Sequence, residues 1–362
     1  GLNAPIGKSV LWSEHNPGGV SPFALSVYRM VGAALLFWAV SLFFPRERVA
    51  PRDIVLLLFA FVPQFGAEGV WVSVFTAISA FCNAGFDLFG RFGAYSSLVP
   101  YVNNYYVQAV IMFMIMAGGL GFMVWVELAE YRKKRRLSLH AKVVLQFSVI
   151  FWVGGAVLLA LLEWSNPRTM GGLSVPGKIM AALFQSVSTR TAGMNTIDLA
   201  ACSPISKLLM SVLQFIGAAP GSTGGGVKVT TFAVLILTIR SVAQGRDDCV
   251  IGGHHIESKT VYRALTIIVI GAVAAFGSAV VVYYNTAETV SVIDCIFESC
   301  SAFGTVGLSV GVTGQLNTGA KLLYMACMFM GRVGPVSLAI SLTAKPDDNK
   351  RKVLPVGHIN VG

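Results

Sequence analysis

The stretch Phe297-Glu-Ser-Cys-Ser-Ala-Phe-Gly-Thr-Val-Gly-Leu308 carries the pattern that decides the fold. It is mostly apolar, too short to cross a membrane, and ends in a polar residue, a small residue and Gly. Two earlier stretches share its plan, in which Ser follows Phe by four residues and Gly follows five or six residues later. They are Phe75-Thr-Ala-Ile-Ser-Ala-Phe-Cys-Asn-Ala-Gly-Phe86 and Phe184-Gln-Ser-Val-Ser-Thr-Arg-Thr-Ala-Gly-Met194. The final glycines lie 108 and 114 residues apart, so one structural unit repeats three times.

The composition places these repeats in a membrane protein. Of 362 residues, 55% are hydrophobic and 12% are charged, and the mean hydropathy is +0.70. A soluble domain carries about 25% charged residues. The apolar residues also gather in blocks of about 20 or more, the length that crosses a bilayer as a helix. The sequence therefore predicts an all-α polytopic membrane protein, built from repeated helix–pore-loop–helix units around a central pore.

Six blocks are predicted to span the membrane, and basic segments separate several of them. The Lys and Arg residues that give a net charge of +10 lie mostly in these segments, which indicates membrane topology rather than nucleic-acid binding. The positive-inside bias puts Arg132–Arg136, Arg240–Arg263 and Lys345–Lys352 in the cytoplasm, whereas Arg46–Arg52 is a mild exception. The predicted spans are Ser21–Phe44, Asn103–Glu127, Ala141–Glu163, Ser206–Arg240, Thr260–Tyr284 and Gly319–Leu342.

Three further apolar segments fall on the side opposite the basic loops. Val70–Phe81, Ile179–Ser188 and Val292–Ala302 have the length of re-entrant helices. The order of span, re-entrant segment and span then divides the chain. The predicted units are a cytoplasmic linker (1–20), three helix–pore–helix repeats (21–130, 131–240 and 241–343) and a cytoplasmic tail (344–362).

The ends of the re-entrant segments suit a cation filter. Each short helix points the negative end of its dipole into the membrane. Gly then lets the chain turn its carbonyl groups toward an axis, where they replace the water shell of K⁺. Simple close packing of helices on glycine is the alternative, but it favours glycines four residues apart within spans. Asp87 either attracts cations to the outer mouth or is merely solvated. The predicted filter residues are Asn83, Ala84, Gly85, Phe86, Thr191, Ala192, Gly193, Met194, Thr305, Val306, Gly307 and Leu308.

A run rich in glycine interrupts the fourth predicted span and suggests a gate. Five Gly and a Pro within residues 217–226 must break the helix there. Such a break is tolerated at membrane depth only where it lines a cavity or is buried in protein. A phosphate-binding loop is the weaker interpretation, because no strand precedes the run. Arg332, inside the last span, either faces this loop or reaches the cytoplasmic edge. The predicted gate residues are Gly217, Gly221, Ser222, Thr223, Gly224, Gly225, Gly226, Lys228 and Arg332.

At these residues the chain resembles the Ktr/Trk/HKT superfamily of potassium transporters, and most closely its KtrB-type pore-forming subunits. The resemblance covers nearly the whole chain. It includes the three filter segments, Glu163-Trp-Ser-Asn-Pro167, the glycine-rich break with Lys228, Gly331-Arg-Val-Gly-Pro335 and an ending in Val361-Gly362. It implies four repeats around one pore, a filter that uses Gly85, Gly193 and Gly307, and an intramembrane gate facing Arg332.

The resemblance also implies partners and a location. Members of this type form homodimers in the plasma membrane on a cytosolic nucleotide-binding ring of the KtrA type, and uptake in many is sodium-dependent. No covalently bound cofactor is expected, with K⁺ as the substrate and Na⁺ as a possible coupling ion. The family has four repeats, whereas only three occur in this chain. The first repeat is thus expected to be missing, so that the chain alone should not conduct.

Three other functions compete with a potassium pore. A sodium-permeable relative would keep the same architecture, because the repeat that is not present also sets ion preference. A non-transporting truncated remnant would keep the three segments without the activity. An intramembrane enzyme would need paired Asp, HExxH or a Ser–His constellation within the spans, and none occurs in the sequence. No enzyme activity is predicted.

Overall fold

A computed structural model describes residues 51–92, 97–245, 249–251, 253–286 and 289–334. Within these ranges the chain is almost entirely helical, with one short hairpin of β1 (Val250–Ile251) and β2 (His254–His255). The predicted linker, the span Ser21–Phe44 and the tail 344–362 lie outside the described residues. The helices are α1 (Pro51–Phe65), α2 (Ala67–Phe81), α3 (Tyr105–Gly119), α4 (Phe122–Lys134), α5 (Leu139–Glu163), α6 (Val175–Ser188), α7 (Pro204–Phe215), α8 (Val229–Ala243), α9 (Ser258–Asn285), α10 (Val292–Gly304) and α11 (Thr318–Val333).

Two of the described helices are long and apolar enough to cross a bilayer alone. They are α5, with 25 residues, and α9, with 28. Both coincide with predicted spans, and each presents many apolar side chains on its outer surface. A third candidate span consists of α3 and α4 together. The last predicted span begins as α11, which is described as far as Val333. The chain is therefore a helical integral membrane protein.

The prediction of one continuous span over Asn103–Glu127 is wrong. The chain forms α3 and α4, which are bent by 99° at Leu120 and Gly121. Gly121 has a φ of +84°, which other residues rarely adopt. A Cβ on Gly118 would lie 1.8 Å from the Phe81 carbonyl oxygen, so the turn before the bend also requires glycine. By contrast, the break predicted within Ser206–Arg240 is present, between the end of α7 and the start of α8.

Helix α1 has no counterpart among the predicted elements. Its 15 residues are apolar enough for a short membrane-embedded helix, but it contains Pro63 and is shorter than a span. It joins α2 through Gly66, at a φ of +56°. The two helices then pack closely, since a Cβ on Gly69 would lie 2.4 Å from the Phe61 carbonyl oxygen.

The three short helices α2, α6 and α10 include the predicted re-entrant segments. Ser174 and Ser291 cap the starts of α6 and α10 by accepting hydrogen bonds from Gly177 N and Ile293 N. The later parts of α6 and α10 are buried almost completely. Two apolar clusters surround the segments that follow them, and they include Ala192, Met194, Val306 and Leu308. The second segment is therefore fully buried, whereas Ala84 and Phe86 of the first segment and Gly307 of the third are exposed.

Candidate ion pathway

The segments that follow the three short helices adopt one repeated backbone conformation. In each segment, two residues with positive φ flank a residue whose φ is not positive. This alternation faces successive carbonyl groups to one side, which a carbonyl-lined filter requires. Positive φ favours glycine, which occupies the third position of each segment, whereas Asn or Thr adopts it at the first position. The pairs are Asn83 (φ 48°) and Gly85 (71°), Thr191 (75°) and Gly193 (78°), and Thr305 (53°) and Gly307 (97°).

The three predicted filter glycines converge at one point. A Cβ on Gly193 would lie 2.8 Å from the Gly85 Cα and 2.1 Å from the Val306 carbonyl oxygen. A Cβ on Gly307 would lie 3.7 Å from the Cα atoms of both other glycines. Residues up to 222 positions apart in sequence thus meet. A side chain at Gly85 or Gly193 would collide with a neighbouring backbone, whereas one at Gly307 would make ordinary contacts. In this structure the three segments touch one another across the axis that the glycines define.

A serine in each short helix fixes the segment that follows. Its hydroxyl donates to a carbonyl at the far end of the segment and accepts from a backbone N–H there. Its own carbonyl accepts from the residue that precedes the filter glycine, at 2.9 Å for Ala84, 3.0 Å for Ala192 and 2.9 Å for Val306. The hydroxyl partners are Phe86 O (2.6 Å) and Phe86 N (3.1 Å) for Ser79, Met194 O and Met194 N (3.0 Å) for Ser188, and Leu308 O (2.6 Å) and Gly307 N (3.2 Å) for Ser301.

Side chains at the inner end of the segments link them to one another. The Asn83 amide and the Thr191 hydroxyl lie 3.1 Å apart. With the amide oxygen accepting from Thr191, the amide nitrogen donates to Ala80 O at 3.0 Å and to Ile115 O at 3.3 Å. Asn83 and Thr191 are both buried. The polar residues that open the first two segments therefore link those segments to each other.

The glycine-rich break between α7 and α8, residues 216–228 and here called the gate loop, lies directly against these inner ends. A Cβ on Gly224 would lie 2.2 Å from Thr191 Oγ1, and one on Gly225 would lie 2.2 Å from Thr305 Oγ1. Thr223 Oγ1 donates to Phe81 O at 3.2 Å, at the end of α2. The gate loop thus contacts all three predicted filter repeats, and its glycines permit that approach.

The backbone of the gate loop is paired rather than open. Gly217 N donates to Val227 O across the loop at 2.8 Å. Other backbone N–H groups of the gate loop donate to carbonyl groups outside the loop. Carbonyl groups of the loop also accept hydrogen bonds. These bonds join Ala219 N to Gly119 O (3.0 Å), Thr223 N to Gly118 O (3.3 Å), Gly226 N to Gly331 O (3.1 Å), Phe122 N to Gly221 O (3.1 Å) and Ser222 Oγ to Ala219 O (2.5 Å).

Three cationic side chains donate to carbonyl groups of the gate loop. Lys228 Nζ lies 2.5 Å from Gly224 O, and Arg332 Nη1 donates to Thr223 O. Arg332 therefore faces the gate loop, which was one of its two predicted positions. The third cation, Arg190, donates from Nη2 to Gly217 O at 2.8 Å and lies 5.0 Å above the ring of Phe151. The sequence assigned Arg190 no role, although a charge directly after a re-entrant segment was a usable signal.

Two carboxylates near the outer ends of the segments differ in their surroundings. Glu298 on α10 is buried and accepts from Ser309 Oγ (2.6 Å), Val310 N (3.1 Å), Thr313 N (3.1 Å) and Thr313 Oγ1. It thereby fixes the chain that follows Leu308. Asp87 accepts from Phe89 N at 2.9 Å, and burial raises the pKa of its carboxyl group. The carboxyl group of Asp87 is thus held in a local turn. The side chain of the adjacent Phe86 is 58% exposed.

Comparisons with known proteins find relatives of this chain among cation transporters. Residues 23–352 match the family TrkH, described as a cation transport protein. The potassium/sodium uptake protein NtpJ of Enterococcus hirae is 36% identical over 80% of this chain and 64% of its own length. The Ktr system potassium uptake protein B of Vibrio alginolyticus is 38% identical over 81% and 63%, and that of Bacillus subtilis is 34% identical over 85% and 67%.

The fold has a solved counterpart. The crystal structure of the potassium transporter TrkH from Vibrio parahaemolyticus matches with a TM-score of 0.63 at 20% identity, over 90% of this chain and 66% of that one. At this identity the likeness concerns the fold alone. The chain spans about two thirds of the length of the relatives it matches.

Proposed function

The chain belongs to the TrkH family of cation transport proteins, and from that membership we propose that it forms part of the pore of a potassium uptake system in the plasma membrane. Within the superfamily it is of the KtrB type, which its potassium-uptake relatives support. The observation that carries the proposal is the threefold segment whose glycines meet at one point. Neighbouring backbones leave no space for side chains at Gly85 and Gly193, so backbone carbonyl groups are the atoms available to an ion there.

Selectivity in this proposal comes from carbonyl groups held at fixed positions. Carbonyl oxygens of Asn83–Phe86, Thr191–Met194 and Thr305–Leu308 would replace the water shell of K⁺. The serine hydroxyls bond the outer end of each segment and so oppose its collapse or rotation. The segments touch in the chain described here, so an open filter requires them to separate around an ion. A fourth segment, as in the family's four-repeat architecture, would hold them apart.

The gate loop is proposed to close the pathway on the inner side of the filter. It lies against the inner ends of all three segments, and Lys228, Arg332 and Arg190 hold its carbonyl groups. These positive charges also oppose the passage of a cation. Ions would pass when the loop leaves the axis, which requires its hydrogen bonds to Gly118, Gly119 and Gly331 to break.

We propose the same partners that the family resemblance implies: a second copy of the chain and a cytosolic nucleotide-binding subunit of the KtrA type. The names of two relatives support a multi-component system, because each is called a protein of a Ktr system. A sodium-permeable pore is a second candidate, since the Enterococcus hirae relative is named a potassium/sodium uptake protein. In the potassium proposal Na⁺ is the coupling ion, as the family resemblance implies for many members.

The test is growth of a bacterial strain without its own potassium uptake at limiting K⁺. The complete product of the gene that encodes this chain is compared with the 362-residue chain alone, both with the cytosolic partner present. We expect the complete product to rescue growth and the 362-residue chain to fail. If neither rescues although both are in the membrane, the potassium proposal is wrong. Sodium flux would then separate a sodium-permeable pore from a non-transporting remnant.

A substitution in the filter tests the site itself. Gly307→Ser should lower the preference for K⁺ over Na⁺ by about tenfold, equivalent to ~1.4 kcal/mol. The reason is that Ser resists the φ of +97° at this position. Gly277→Ser is the matched control, because a Cβ there meets no atom within 4 Å. Unchanged selectivity in Gly307→Ser would remove this residue from the filter.

A further inference from the structure

We propose that α4 is an interfacial helix that binds anionic lipid headgroups, and that its attachment to the gate loop makes the gate sensitive to them. The lipid contact is independent of the proposed transport function. The effect on the gate rests on that function. Helix α4 is absent from the predictions because the sequence was interpreted as one continuous span through this region.

The position of α4 follows from its bend and its neighbours. It turns by 99° from α3, so it runs across the direction of that helix. Val124 packs against Ala141 and Val144 in the first two turns of α5. Glu127 accepts from Ser138, the residue that caps α5, at 2.8 Å from the backbone N and 2.6 Å from Oγ. Helix α4 therefore lies at the end of α5 that the positive-inside bias places at the cytoplasmic face.

The outer surface of α4 combines apolar and basic side chains. Its first half exposes large apolar residues, and its end continues into the basic run Arg132–Arg136, which is fully exposed. Lys134 forms an ion pair with Glu130, at 2.6 Å. Within the described part of the chain, the other four cations of the run form no ion pair. The exposed apolar residues are Phe122, Met123, Trp125, Val126 and Tyr131.

This combination fits a membrane surface better than a soluble acidic partner. Aromatic and aliphatic side chains enter the boundary between headgroups and acyl chains, while adjacent Lys and Arg attract phosphate groups. An acidic protein would be recognised by the cations alone and would leave the apolar residues in water. The charge of the run is complementary to the anionic lipids of a cytoplasmic leaflet.

The bend between α3 and α4, at Leu120 and Gly121, is hydrogen-bonded to the gate loop. Phe122 N, the first residue of α4, donates to Gly221 O at 3.1 Å, and Ala219 N donates to Gly119 O at 3.0 Å. A Cβ on Gly121 would lie 2.5 Å from Pro220 O, so the bend packs directly against the gate loop. Movement of α4 toward or away from the bilayer therefore shifts the carbonyl groups of the gate loop.

Quenching of Trp125 fluorescence tests the lipid contact. The protein is reconstituted in vesicles of phosphatidylcholine with a fixed fraction of brominated phosphatidylcholine or brominated phosphatidylglycerol. The contribution of Trp125 is the part of the signal lost in Trp125→Phe. We expect the phosphatidylglycerol to quench it several-fold more strongly. The double variant Arg132→Gln/Lys133→Gln should reduce this preference by about fivefold, because each surface cation adds to the attraction of anionic lipid.

Lys259→Gln/Arg263→Gln is the charge-matched control, because both residues are exposed near the start of α9. It should leave the preference unchanged. Equal quenching by the two lipids, an equal effect of both double variants, or no quenching of Trp125 would each overturn the lipid contact. The last result would mean that protein, such as a cytosolic subunit, covers α4. Circular dichroism of Trp125→Phe establishes that the reference variant is folded.

Ion flux from the same vesicles tests the link to the gate. With the complete gene product, K⁺ flux should change at least twofold between zwitterionic and anionic vesicles, and Arg132→Gln/Lys133→Gln should abolish that change. If K⁺ flux does not depend on lipid composition while Trp125 is still quenched, the link to the gate is wrong and the lipid contact stands. Absence of flux in every vesicle, with quenching intact, would count against the proposed function instead.

Discussion

Ser79, Ser188 and Ser301 each hold their segment at two backbone atoms, a donor and an acceptor. A hydroxyl is suited to this task because it can donate and accept at once. The segment turns away from its helix through positive φ, so its own backbone cannot satisfy these groups as a helix would. The repeated Ser is therefore as much part of the filter geometry as the repeated Gly.

At the residue scale, Ser301→Ala should loosen the third segment. It leaves Leu308 O and Gly307 N without this partner, at a cost of about 1–3 kcal/mol for buried groups. We expect K⁺ uptake to become less selective against Na⁺, measured as competition between the two ions for rubidium uptake. Ser278→Ala is the control, since the Ser278 hydroxyl bonds Ala275 O in its own helix and contacts none of the three segments. Equal selectivity in both variants would contradict a filter role for Ser301.

Glu298 gives a second prediction at this scale. Glu298→Gln keeps the size but replaces one accepting oxygen by an NH₂ group, which cannot accept from the four donors around it. The solubilised protein should lose about 1.5–3 kcal/mol of stability, the worth of hydrogen bonds to a charged group. Thermal unfolding monitored by size-exclusion chromatography measures the loss. Glu130→Gln, which breaks an exposed i,i+4 ion pair, should leave the stability nearly unchanged.

At the element scale, glycine content predicted the break between α7 and α8 but not the bend between α3 and α4. Five glycines and Pro220 made the break after α7 evident, whereas Gly118, Gly119 and Gly121 remained compatible with a continuous span. The bend there arises from tertiary contacts with Phe81 and Pro220, which local propensity does not contain. Helix α1 was missed for a related reason: it is too short for a span and lies beyond the repeated pattern.

Lys228→Met tests the gate loop as an element. The change keeps an unbranched side chain but removes both the charge and the hydrogen bond to Gly224 O. The loop should leave the axis more often, so the initial rate of rubidium uptake should rise about threefold or more, the effect of ~0.7 kcal/mol. Lys321→Met, on the outer part of α11, should change nothing. A fall in uptake, with normal amounts in the membrane, would contradict a closing role for Lys228.

At the scale of the whole molecule, the repeat and its period predicted that three distant segments share one function. The structure brings the three glycines together. The distances between them depend on the surrounding elements, so they cannot be predicted from any one segment. Arg190 and Glu298 were missed because each occurs in a single repeat. A polar residue does follow the first Phe of every repeat, as Thr76, Gln185 and Glu298, and that regularity was the available signal.

The ion pair of Lys207 and Asp294 tests how the units are joined. Their Nζ and Oδ1 atoms lie 2.7 Å apart and connect α7 with α10, across two predicted repeats. The side chains are 10% and 21% exposed, so either single change should cost about 1–3 kcal/mol, less than for a fully buried pair. A double-mutant cycle with Lys207→Met and Asp294→Asn, followed by thermal unfolding, should show the double variant to be less destabilised than the sum. Additive losses would mean that the pair does not join the repeats.

The paired backbone of the gate loop also determines how its opening should respond to temperature. Backbone hydrogen bonds to Gly118, Gly119 and Gly331, with those from the cationic side chains, must be broken before the loop can leave its place. Breaking them costs enthalpy, while the released glycines gain conformational entropy. Cooling should therefore reduce the open population more steeply than it slows diffusion through an open pore. The Arrhenius slope of ion flux should become shallower in Lys228→Met, because fewer bonds then oppose opening.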